Sequence, residues 1–88
     1  NSMAKFSVEI SRTAERQISQ LPRVEQIRVL KVIAQLENDP TPAGCRKLQG
    51  HDKTFRIRVG DYRVIYDLDL KRVVVVVLKV GHRKEIYR

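Results

Sequence analysis

Arg56, Arg58 and Arg63 are spaced so that one face of a β-hairpin would carry all three. The segment from Phe55 to Tyr66 alternates apolar and polar residues on both sides of Gly60-Asp61. Alternation marks a half-buried strand, and Gly-Asp between two such runs reads as a two-residue turn. The expected register sets Val59 against Tyr62, Arg58 against Arg63, Ile57 against Val64, Arg56 against Ile65 and Phe55 against Tyr66. Phe55, Ile57, Val59, Tyr62, Val64 and Tyr66 then form a core face, and the arginines take the other. Like charges directly opposed on a sheet are destabilising, so the face suits an anion. Guanidinium stays charged and grips phosphate with a planar fork. The plainer alternative is an ordinary solvated strand face.

Elements that position the hairpin are legible on both sides. Lys5–Ile10 alternates and reads as a first strand. Ser11 is placed to cap a helix over about residues 12–21, where Ala14, Ile18 and Leu21 recur at helical spacing. Pro22 suits the start of a second helix running to about Asn38, stopped by Asp39-Pro40. Residues 39–50 read as a Pro/Gly loop, with Leu48 as its core anchor. Val73–Leu78 is a continuous apolar run, expected as a central strand buried on both faces and ended by Gly81. The order strand-helix-helix-strand-strand-strand makes an α+β fold: a mostly antiparallel sheet with a helical hairpin on one face. One domain over residues 3–88 is expected, with Asn1-Ser2 read as a cloning scar.

The 88 residues carry a net charge of +8, placed unevenly. Residues 1–45 hold six Lys/Arg against five Asp/Glu, whereas residues 46–88 hold twelve against five. A basic second half points to a polyanion, most simply nucleic acid. No apolar run reaches the roughly 18 residues of a membrane span, and no leader-type segment opens the chain, so a cytoplasmic location is expected. Cys45 is the single cysteine and reads as a bystander.

Neither a Gly-rich phosphate loop nor a zinc-like His/Cys spacing is present, and no cofactor or metal is expected. RNA supplies its own nucleophile in the 2′-OH, so metal-free phosphodiester cleavage remains open. Such chemistry needs cations on the non-bridging oxygens, a route for protons and firm placement of the strand. A nearby tyrosine would stack on a base.

Lys47-Leu48-Gln49-Gly50, Phe55-Arg56-Ile57-Arg58-Val59, Tyr62-Arg63-Val64-Ile65-Tyr66, Val80-Gly81-His82-Arg83 and Tyr87 together resemble the RelE family, within the RelE/ParE toxin superfamily. The helical hairpin is similar in pattern only. The resemblance implies a toxin that enters the ribosomal A site and cuts mRNA there. Attack by the 2′-OH would leave a 2′,3′-cyclic phosphate and a 5′-OH. It further implies that Arg63 supports the transition-state phosphate, that Arg83 stabilises charge or the leaving oxygen, and that Tyr87 orients the substrate by stacking. Arg56 and Arg58 match positions held by lysines in the best-known member, the one matching Arg56 being a proposed base. Arginine is a poor base. The proton would pass to the ribosome, to water or to His82, whose plainer reading is an exposed turn residue. Tyr87 has its own plainer reading, as cover for an apolar edge.

Arg46, Lys47, Lys53, Lys84 and Arg88 read as RNA- or ribosome-binding charge. The partners implied are a RelB-type antitoxin, the ribosome with its mRNA, and operator DNA through the antitoxin alone. Two rival functions share these residues: a ParE-like gyrase inhibitor, and a non-catalytic nucleic-acid-binding module.

Overall fold

The structure, a computed structural model, describes residues 5–84. Five strands form one sheet: β1 (Ser7–Ile10), β2 (Arg46–Lys47), β3 (Thr54–Val59), β4 (Tyr62–Asp69) and β5 (Val74–His82). Their spatial order is β1-β5-β4-β3-β2. β1 runs parallel to β5 and every other pairing is antiparallel. Between β1 and β2 come α1 (Arg12–Ser19) and α2 (Arg23–Gln35).

Ser11 caps α1 as its residue type suggests, its Oγ accepting from the Ala14 N–H at 3.0 Å. α2 begins after Pro22 without a side-chain cap. Instead Gln26 Nε2 donates to the Ile18 carbonyl at 3.1 Å, tying the two helices at their junction. Both helices bury one stripe on the sheet. Ala14, Ile18, Val29, Ile33 and Leu36 meet Ile57, Val59, Val64, Tyr66, Leu68, Val75, Val77 and Val80 in one core.

The hairpin has the register read from the sequence, residue for residue. Gly60 has φ +61° while Asp61 stays at negative φ, which fits the turn type that wants glycine at its first central position. Ile57, Val59, Val64 and Tyr66 are buried, whereas Phe55 and Tyr62 at the ends are half-buried.

Four expectations need correction. The 39–50 segment contains a strand, since Arg46 and Lys47 pair with Arg56 and Phe55. Leu48 is half-buried but stands outside the core cluster, and Cys45 packs against that cluster instead. Val74 and Val76 are half-buried rather than covered, because both helices lie on the other face. β5 does not stop at Gly81; it runs to His82 through a bulge.

Tyr66 fastens the long loop. Its hydroxyl donates to the Pro40 carbonyl at 2.7 Å while its ring stacks on Phe55 at 5.8 Å. Burial, then the neighbouring Cys45, pushes the phenol well above its usual range. Folding therefore favours the protonated phenol. That contribution is complete below the unfolded-state pKa of about 10 and is lost as pH rises beyond it. Urea midpoints should fall between pH 9 and pH 11, and the fall should be shallower in Tyr66→Phe. An equal fall in both proteins would contradict this.

Candidate nucleic-acid interface

Alternation puts Thr54, Arg56 and Arg58 of β3 on the face away from the helices, together with Arg63, Ile65, Asp67 and Asp69 of β4. Arg58 stands directly opposite Arg63, and Arg46 directly opposite Arg56. The four arginines line one hollow of about 180 Å³ with Gly44. Arg46 and Arg56 also border a wider hollow of about 540 Å³ that continues along β2 past Cys45, Leu48 and Gln49. The result is a basic trough running from the middle of the sheet to its β2 edge.

Arg58 and Arg63 are held differently. Arg58 is exposed and bends to the turn, its Nε donating to the Gly60 carbonyl at 3.0 Å. Arg63 is half-buried, and its Nε lies buried with no hydrogen-bond partner. A buried donor without an acceptor costs about 1–3 kcal/mol, a cost the fold carries at Arg63. Gly81, across the ladder from Arg63, adds no side chain above it. Ile65 is buried although it belongs to this face, and its ladder neighbours are the long side chains Arg56 and Lys79.

Arg83 reaches the hairpin from the far end of the chain. Its N–H donates to the Asp61 carbonyl at 2.9 Å, which docks it beside the Gly60-Asp61 turn with an exposed side chain. The neighbouring His82 is turned away. It pairs with Tyr62, so it faces the helix side, its ring edge-on to Tyr62 at 5.7 Å. Its Nδ1 accepts from the Lys84 N–H at 3.2 Å. The arrangement separates His82 from the arginines by the thickness of the sheet.

Among the expected binding residues that the structure describes, Arg46 joins the four-arginine cluster and Lys47 borders the wider hollow beside it. Lys47 lies on the helix side, its Nζ 5.8 Å from the Phe55 ring centroid. Lys53 sits at the opposite end of the open face, around a hollow with Glu9, Asp67, Asp69 and Arg72. Lys84 is exposed beyond β5. Tyr87 and Arg88 fall outside the described residues. The open face is thus cationic at the hairpin-tip end and acidic at the other. Among the described residues no group of three or more His, Cys, Asp or Glu is arranged to hold a metal ion, and no helix is long and apolar enough to cross a membrane.

Sequence reading overlooked one cation, Lys79, which lies on the same face across from Ile65. Its signal was the single charge between Leu78 and Val80 at the end of an otherwise apolar run.

A family model described as the ParE toxin of type II toxin–antitoxin system, parDE, matches residues 8–87. Toxin RelG of Mycobacterium tuberculosis is 36% identical over 87 residues, spanning 94% of this chain and 97% of that protein. A chain of the archaeal RelE–RelB complex from Pyrococcus horikoshii superposes with a TM-score of 0.81 at 32% identity, covering 91% of this chain and 97% of that one. A chain of the RelBE2 toxin–antitoxin complex of M. tuberculosis gives 0.80 at 29% identity, covering 91% and 100%. The match spans both the helical hairpin and the basic half, and on these grounds the chain belongs to the RelE/ParE toxins of type II toxin–antitoxin systems, as a RelE-like member.

Proposed function

We propose that this toxin is a metal-independent endoribonuclease that cuts mRNA in the ribosomal A site. The observation that carries the reading is the arginine face: four arginines line one hollow, and one of them, Arg63, is half-buried. In-line attack of the 2′-OH on the adjacent phosphate places extra charge on the non-bridging oxygens. Arg63, flanked by Arg56 and Arg58, would meet that charge, because fixed cations stabilise it without reorganising. Arg83, docked at the hairpin tip, would act on the departing 5′ oxygen. Tyr87 would stack on the substrate from the last residues of the chain.

The chain's arginines bind and stabilise but do not accept protons, since arginine stays charged in proteins. His82 is on the far face of the sheet. The 2′-OH proton would therefore leave through ribosomal groups or water, which makes cleavage depend on the ribosome. A cytoplasmic site of action follows from that substrate.

RelE–RelB complexes among the structural neighbours support a RelB-type antitoxin as partner. Val24, Ile27 and Leu30 recur along α2 and are 67%, 54% and 42% exposed. That apolar stripe offers purchase to an amphipathic antitoxin segment, while acidic residues in the same antitoxin would cover the +8 toxin. Operator DNA would be contacted through the antitoxin. Ile27→Asp should weaken antitoxin binding at least tenfold, read by calorimetry, and leave mRNA cleavage intact. Unchanged affinity would remove α2 from that interface.

The ParE description of the family model favours a second reading, inhibition of DNA gyrase. Parallel assays separate the two. Cleavage on programmed ribosomes with normal gyrase supercoiling supports the first, and intact mRNA with arrested gyrase supports the second.

A further inference from the structure

The pairing of β4 with β5 skips one residue. Ile65 faces Lys79 and Tyr66 faces Val77, so Leu78 is an extra residue on β5. Such a bulge reverses which residues of a strand face which way. Val75 and Val77 are buried before it and Val80 after it, three positions on rather than two. Had the strict two-residue period continued, Lys79 would have entered the core, where an unpaired ammonium is costly. The bulge instead delivers Lys79 to the arginine face.

Helix α1 holds this bulge with two side chains. Ser11 Oγ donates to the Leu78 carbonyl at 2.9 Å, and Gln17 Oε1 accepts from the Val80 N–H at 2.7 Å. These bonds occupy backbone groups on either side of Lys79. Ser11 also anchors the helix start, its N–H donating to the Val77 carbonyl at 2.9 Å.

Across the sheet, Arg46, Arg56, Ile65 and Lys79 are successive ladder partners, so this row places a cation on β2, β3 and β5. Arg63 lies one step along, opposite Gly81, which puts it diagonal to Lys79 at a backbone separation of about 7–8 Å. Two long cationic side chains at that spacing reach neighbouring phosphates of one extended strand. Lys79 is exposed.

We propose that Lys79 is a fifth cation of this face and binds the RNA phosphate next to the one at Arg63. Gln17 is a positioning residue that keeps it there through the bulge. The proposal rests on reading the face as an RNA site.

The test measures binding of the full chain to a short single-stranded RNA carrying 2′-O-methyl groups, which cannot be cut, across a range of salt. One lost phosphate contact lowers the slope of log affinity against log salt by about 0.7 for a single strand. Lys79→Ala should show that loss and Lys79→Arg should not. Lys31→Ala, which removes the same charge from exposed α2, should keep the full slope. Gln17→Met, checked for folding by circular dichroism, should reproduce the Lys79→Ala loss. Gln17→Glu, which keeps the acceptor, should not. An unchanged slope in Lys79→Ala, or an equal drop in Lys31→Ala, would overturn the contact. A full slope in folded Gln17→Met would overturn the positioning role. Because this RNA is free and uncleavable, the slope can change in a protein that leaves ribosomal mRNA intact. That result would sink the proposed function and spare this inference; cleavage without a slope change would do the reverse.

Discussion

Replacing Arg63 by alanine is expected to reduce A-site cleavage by about 10²–10³-fold, the usual loss when one pre-placed donor to a developing anion is removed. In barrier terms that is roughly 3–4 kcal/mol. Arg63 differs in burial from Arg58, the arginine directly opposite it. Arg58 is exposed and already donates to the Gly60 carbonyl, whereas Arg63 Nε is buried without a partner. A group in that position meets its ligand with little solvent to displace, so its effect on charge is larger than that of an exposed cation. Stability should hardly fall. Alanine removes the opposition to Arg58 and the stranded Nε, which offsets the lost packing of the arginine stem. Arg63→Lys should recover only part of the activity, since ammonium keeps the charge and lacks the fork. Cleavage rates and melting temperatures measured on the same preparations check both halves. Full activity in Arg63→Ala would remove Arg63 from the site.

Leu36→Ala should do the opposite: destroy the fold's margin without touching the chemistry. Leu36 is 1% exposed at the end of α2 and belongs to the core cluster. Truncating a buried leucine costs about 2–5 kcal/mol, transfer plus cavity. A small domain has only some 5–15 kcal/mol in total. At about 4–8 °C per kcal/mol, the melting temperature should drop by roughly 10 °C or more. The reason lies in where Leu36 sits. The backbone immediately after it, at Glu37, accepts the Phe6 N–H at 2.9 Å, so the end of α2 is tied to the approach to β1. Well below the melting point, the cleavage rate should match that of the parent chain. A loss under about 1 kcal/mol would mean that the helical layer closes over the cavity.

The hairpin was readable because turn and alternation agreed. Gly60 permits the turn, and each side chain from Phe55 to Tyr66 then has a fixed partner. The cationic face followed from that register alone. The bulge was not readable. A run of five valines and a leucine carries no period, so nothing in it marks where the strand changes phase. The hydrogen bonds that hold the bulge come from Ser11 and Gln17, more than sixty residues away. Lys79 was missed for that reason. His82 adjoins Arg83 in sequence, yet its place opposite Tyr62 turns it to the helix side of the sheet, because faces alternate along a strand. β2 was missed because Arg46-Lys47 is too short and too polar to show alternation. Lys53 looked like part of the basic half, yet six residues of extended β3 carry it to the far, acidic end.

In the proposed reaction the arginine face guides attack by the RNA's own 2′-OH. The most direct test is the chemistry of the ends made on programmed ribosomes, with Arg63→Ala as the paired control. A-site fragments ending in 2′,3′-cyclic phosphate with 5′-OH partners are expected, with their near-absence in the variant. Fragments with 3′-OH and 5′-phosphate ends, or mRNA left intact by the parent chain, would contradict it.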